Sequence, residues 1–130
     1  MEKNFVDVSL REDGILLITI EGDLSYENLP LLKESIEKAN EFIAQKSALT
    51  MHPFSTLVDV SAVYPVYAPD VILLLADFEK KNRPYIQKTV VYGASTEIKF
   101  AGEVISAFSN RKNISFVKSE EEAIALLKGQ

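Results

Sequence analysis

From Phe5 to Leu10 apolar and polar residues alternate, with Val6, Val8 and Leu10 on one face. That period of two is the signature of a strand buried on one side. Glu12-Asp13-Gly14 then offers a tight turn, and Ile15 to Ile20 is almost continuously apolar, as in a buried strand. The two segments predict a hairpin. The period changes next: Leu29, Leu32, Ile36, Ala39 and Ile43 recur at intervals of three and four. This spacing places them on one face of a helix running from about Tyr26 to Gln45. Pro30 suits its first turn, where no amide donor is needed. Lys46 to Phe54 has no period and contains Pro53, so it reads as a loop.

Thr56 to Val63, with Leu57, Val58 and Val60, predicts a third strand. Pro65 and Pro69 break the chain before a second helix from about Pro69 to Asn82, which Pro84 prevents from continuing far. Thr89-Val90-Val91-Tyr92 is a fourth strand. Gly93-Ala94-Ser95 turns into a third helix, with Ile98, Ala101, Val104, Ile105 and Phe108 on its buried face. Asn113 to Val117 is a short fifth strand, and Ser119 with Glu122 three residues on has the capping-box spacing of a last helix. The order β-β-α-β-α-β-α-β-α predicts an α/β fold. A mixed sheet, antiparallel in its first hairpin, is followed by parallel βα units with right-handed crossovers.

At 130 residues the chain suits one domain, 1–130, and 47% hydrophobic content supplies its core. It contains no cysteine, which removes disulfides, thiolate metal sites and cysteine nucleophiles. The opening Met1-Glu2-Lys3-Asn4 shows no basic start with an apolar run behind it, and Val71 to Ala76 is too short to cross a bilayer. A cytoplasmic chain without membrane insertion is expected. The formal charge of −5 argues against nucleic acid as a partner. Lys80, Lys81 and Arg83 do cluster, but at the end of the second helix, where positive charge offsets the macrodipole.

Candidate chemistry is sparse. The one histidine, His52, lies between Met51 and Pro53 in the loop and reads as solvated. Glu21 and Asp23 lie just past one strand and Asp59 lies within the next, so that in parallel neighbours the carboxylates could gather around Mg²⁺. A carboxylate hydrogen-bonded to a neighbouring turn is the plainer reading of Asp59. Ser95 and Thr96 open the third helix, where free amides make a weak anion-site candidate or a simple N-cap. No catalytic residue, metal site or cofactor is predicted. The segment Tyr64-Pro65-Val66-Tyr67-Ala68-Pro69 is unusually apolar for a loop. The helix after it should bury Val71, Leu74, Leu75 and Phe78. At about 100° per residue Ile72 and Leu73 then point sideways and away from the sheet. Either neighbouring segments cover that helix all round, or Tyr64, Val66, Tyr67, Ile72 and Leu73 form a contact surface for a protein partner or a second copy in a homodimer. A small apolar, lipid-like ligand carried in a pocket at the 64–67 loop and second helix is the alternative function.

Three segments carry a family resemblance across Phe5 to Leu127: Ile18-Thr19-Ile20-Glu21-Gly22-Asp23-Leu24, Leu57-Val58-Asp59-Val60-Ser61-Ala62-Val63, and Val90-Val91-Tyr92-Gly93-Ala94-Ser95. Together with the element order they resemble the STAS family of sulphate-transporter and anti-sigma-factor-antagonist domains. The resemblance implies a STAS-like mixed sheet and a habit of protein binding. Regulatory members carry Asp-Ser-Ser-Gly at the start of the second helix, with one serine phosphorylated by a partner kinase. Here that stretch is Tyr67-Ala68-Pro69-Asp70, with Ala68 at the phosphoserine position. The resemblance is therefore to divergent STAS-like proteins, some described as similar to lipid-binding Sec14 domains, and it does not imply the serine switch.

Overall fold

The structure is a computed structural model that describes residues 5–109 and 113–129; the Met1–Asn4 opening lies outside the described residues. Its strands are β1 (Val6–Leu10), β2 (Leu16–Leu24), β3 (Phe54–Tyr67), β4 (Ile86–Tyr92) and β5 (Ile114–Val117). They form a single sheet in the order β1-β2-β3-β4-β5, antiparallel at β1–β2 and parallel thereafter. The helices are α1 (Leu29–Thr50), α2 (Asp70–Asn82), α3 (Thr96–Ser109) and α4 (Glu120–Leu127).

Each parallel connection moves one strand further in the same direction. Right-handed crossovers then lay α1, α2 and α3 on the same face. The larger core forms there, with Leu16 and Ile18 of β2 under Leu32, Ile36 and Ile43 of α1, Leu75 and Phe78 of α2 and Ile105 of α3. The opposite face carries a smaller cluster in which Leu57 and Val90 meet Ala123 of α4. Helix α4 starts as its spacing predicts: the Glu122 amide donates to Ser119 Oγ at 3.2 Å. Lys128, just past its end, reaches Asp13 in the hairpin turn at 3.4 Å.

Several predicted boundaries and faces move. The helix expected over 26–45 begins at Leu29, after a 3-10 turn at Tyr26–Asn28, and runs on to Thr50. Most of the expected 46–54 loop is therefore helical. Lys46 to Thr50 carries no core period but contains little that opposes a helix, and the turn stops only where Met51 takes a left-handed φ of 65° ahead of Pro53. The expected 64–67 loop is the end of β3, paired with β2 through Leu24 and Tyr67. Proline is tolerated there because β4 pairs with β3 only as far as Asp59, which leaves one side of β3 as an edge. On α2, Leu74 is only partly buried and Ala76 takes its place in the core. On α3 the buried line is Ala101, Ile105 and Ser109, while Phe108, expected inside, is exposed. It lies one residue, or about 100°, off that line.

Where β4 leaves β3, Gly93 holds φ +83° and a Cβ there would meet Ser61 Cβ at 2.7 Å. Gly14 holds a similar φ of +85° with open space around it. Gly93→Ala is expected to cost about 1–3 kcal/mol in urea unfolding for the backbone conformation alone, and more than Gly14→Ala because only Gly93 also faces a clash. Equal losses would show that the close approach to Ser61 is easily relieved.

Candidate functional site

Between the sheet and the α2–α3 layer lies an apolar cavity of about 110 Å³. Val58 and Val91 form its floor, Leu75 and Phe78 come from α2, and Ile105 comes from α3. Four strands' worth of β-branched side chains give it smooth apolar walls. Polar side chains come from the helices, as Glu79, Asn82 and Ser106, and from the sheet as a pair of threonines, Thr56 and Thr89, which sit side by side in the β3–β4 register. Thr56 is 0% exposed, and its Oγ1 has no hydrogen-bond partner among the described residues. A buried hydroxyl left unpaired costs about 1–3 kcal/mol. Near the same end, the Asn82 amide donates to Asn40 Oδ1 at 2.7 Å and to the Phe78 carbonyl at 2.8 Å, and Ser109 Oγ donates to Glu79 at 2.7 Å.

The five residues expected to form a contact surface divide. Tyr67 and Ile72 are partly buried and line the cavity, so Ile72 does not point away from the sheet as its helical angle suggested. Ile72 packs against the larger core instead. Leu73 is 62% exposed on the outside of α2. Tyr64 and Val66 are 55% and 78% exposed. In strand alternation they fall opposite Val63 and Tyr67, which face the cavity. Ala68, with only a methyl group, is buried against the body of the fold, its amide donating to the Leu24 carbonyl at 2.8 Å.

The carboxylates do not assemble. Asp59 stands beside Thr19 and Tyr92 in the sheet, whereas Glu21 pairs beside Ala62. Among the described residues no group of three or more acidic, histidine or cysteine side chains is placed to hold a metal ion. Asp59 Oδ1 accepts instead from Ser61, from its amide at 2.9 Å and from its hydroxyl at 2.6 Å. Burial works against the charge on Asp59, but Ser61 and the Tyr92 hydroxyl outweigh it and hold the carboxyl below the ordinary aspartate value. The Tyr92 phenol is pushed upward, first by burial and then by the Asp59 and Glu120 carboxylates. At the start of α3, Ser95 Oγ accepts from the Ile98 amide at 3.2 Å, the geometry of an N-cap, and Thr96 is the first helical residue. His52 is exposed.

The unpartnered Thr56 hydroxyl in the cavity lining is not legible in the sequence. The signal was weak: two threonines in different apolar strands, whose adjacency only the register reveals.

The Asp59 shift has a stability consequence. Its folded value is depressed, so its contribution is present above the unfolded aspartate value and is lost as pH falls through the folded one. The loss on Asp59→Asn is therefore expected to stay constant near neutrality and to shrink in acid. Denaturant melts of both proteins across the acidic range check this, and a difference that grows on acidification would contradict it.

No protein-family model matches the chain, and no curated protein matches it. Solved structures do. An uncharacterised Shewanella loihica protein with a SpoIIAA-like fold aligns with a TM-score of 0.64 at 14% identity, over 94% of this chain and 91% of its own. An anti-sigma-factor antagonist (STAS) domain protein from Planctomyces limnophilus aligns with a TM-score of 0.64 at 14% identity, over 95% and 97%. A form of RsbS from Moorella thermoacetica aligns with a TM-score of 0.62 at 14% identity, over 95% of each chain. Likeness at that identity is likeness of backbone, and with the sheet order and helix placement already described it shows that this chain has a STAS-like domain fold.

Proposed function

We propose that residues 1–130 form a single STAS-type module that acts by non-enzymatic protein contact, in a regulatory role and without the serine phosphorylation switch. The observation that carries this reading is the exposure of Tyr64, Val66 and Leu73 around the β3–α2 corner, three large apolar side chains that the fold itself leaves uncovered. A tyrosine there suits a contact, since its ring can be buried while its hydroxyl stays hydrogen-bonded. Pro65 restricts the backbone of the segment, which lowers the entropy lost on binding. The partner is another protein or a second copy of this chain. Nucleic acid is disfavoured by the net charge of −5. Among the described residues no helix is long and apolar enough to cross a membrane. Ala68 offers no hydroxyl at the position where the resemblance places the phosphorylated serine. The anti-sigma-factor antagonist among the structural neighbours is consistent with this reading.

The cavity favours a second reading, a carrier of a small apolar ligand. Its place differs from the expected pocket: of the 64–67 segment only Tyr67 lines it, and the rest of its wall is sheet, α2 and α3.

Leu73→Asp separates contact from core. On the outside of α2 it is expected to change stability by no more than about 0.5 kcal/mol, while a charge placed in an apolar contact weakens association. Thermal melts and sedimentation of the variant beside the parent measure both. A large drop in melting temperature, with a parent that was never associated, would sink the contact reading.

A further inference from the structure

We infer that the cavity between the sheet and α2–α3 is a binding site for a small, uncharged, mostly apolar molecule carrying one hydrogen-bonding group, with Thr56 Oγ1 as its polar anchor. The inference deepens the carrier reading above and does not depend on the contact surface.

Size sets the class. An apolar cavity of about 150 Å³ takes benzene, so about 110 Å³ accommodates roughly four or five heavy atoms. A nucleotide or a full acyl chain is too large. Charge is disfavoured as well, because the walls are mostly aliphatic and aromatic, their one carboxylate, Glu79, already accepts from Ser109, and an ion inside them would lose its hydration.

Polarity sets the anchor. Other polar side chains of the lining are engaged within the protein. Ser106 Oγ donates to the Gly102 carbonyl at 3.0 Å, Glu79 accepts from Ser109, and the Asn82 amide serves Asn40 and Phe78. Thr89 is engaged too. Thr56 is fully buried in the same lining without a protein partner. Valine would fill the same space at no polar cost, so the hydroxyl serves packing poorly. A buried water makes about three hydrogen bonds, and Thr56 offers it few companions. A molecule with one hydroxyl or carbonyl and an apolar remainder matches both the single anchor and the walls.

Xenon and isobutanol are suitable probes, the first for apolar space alone and the second for the same space with one hydroxyl. Methyl carbon–proton spectra report binding at Ile18, Val58 and Ile105. Both probes are expected to shift these signals. Thr56→Val should weaken isobutanol by about tenfold, the worth of one hydrogen bond, and leave xenon unchanged. Thr56→Ser should restore isobutanol binding, and Thr56→Val should melt no lower than the parent. Isobutanol binding that ignores Thr56→Val would overturn the anchor while xenon shifts still support the carrier reading. Methyl signals unmoved by either probe would overturn both. A Thr56→Val protein that melts well below the parent would show that the hydroxyl serves the fold, and would overturn the inference.

Discussion

Because every parallel connection from β2 to β5 steps one strand in the same direction, handedness alone decides where the helices go. Three crossover helices must share one face. Only α4, which follows the last strand and crosses over to nothing, is free to cover the other. The two cores differ accordingly, one spread under three helices and one gathered around Ala123. The same constraint affects chemistry. Open α/β sheets bind ligands where the strand order reverses and the helices part. This sheet has no reversal, so its strand ends offer no ready-made crevice. Whatever the molecule binds must be met on its surface or within its layers.

The surface alternative arises where β3 outlasts its neighbour. Pairing with β4 ends at Asp59 and Tyr92, and Gly93 then turns the chain away across the backbone of Ser61. Asp59 accepts both the amide and the hydroxyl of Ser61, which fixes the strand at the point of parting. Beyond it β3 continues beside β2 alone, through two shifts of register. Asp59, a candidate metal ligand by its sequence position, thus shapes the corner. The apolar residues displayed beyond that corner are a consequence of the overrun.

What could be read from the sequence follows the clarity of each period. The hairpin, the order of elements and the α4 cap depend on local patterns and are present in the structure. The last turn of α1 was illegible because Lys46 to Thr50 packs too little to show a period. The end of β3 was illegible because two prolines argue for a loop, and only the early departure of β4 makes a strand admissible there. Leu73 could be placed outward from helical angle alone. Ile72 could not, since its burial depends on tertiary neighbours around the cavity. Thr56 and Thr89 are separated by 32 residues of chain and become neighbours only through register.

That register also explains why a cavity exists at all. Phe116 of β5 lies so close to α3 that a Cβ on Gly102 would meet its ring at 2.7 Å, which fixes how near that helix stands to the sheet. Val71, Leu75 and Phe78 set the height of α2 in the same way. Beneath the two helices, adjacent strands present two threonines where longer aliphatic side chains would fill the space. Protein interiors are close-packed, and unfilled volume costs about 24 cal/mol per Å³, or about 2–3 kcal/mol for about 110 Å³. The unpaired Thr56 hydroxyl adds to that cost at the same place. Two separate penalties that ordinary aliphatic residues would remove meet in one spot at the centre of the sheet, and a bound molecule with a hydroxyl and a few carbons relieves both at once.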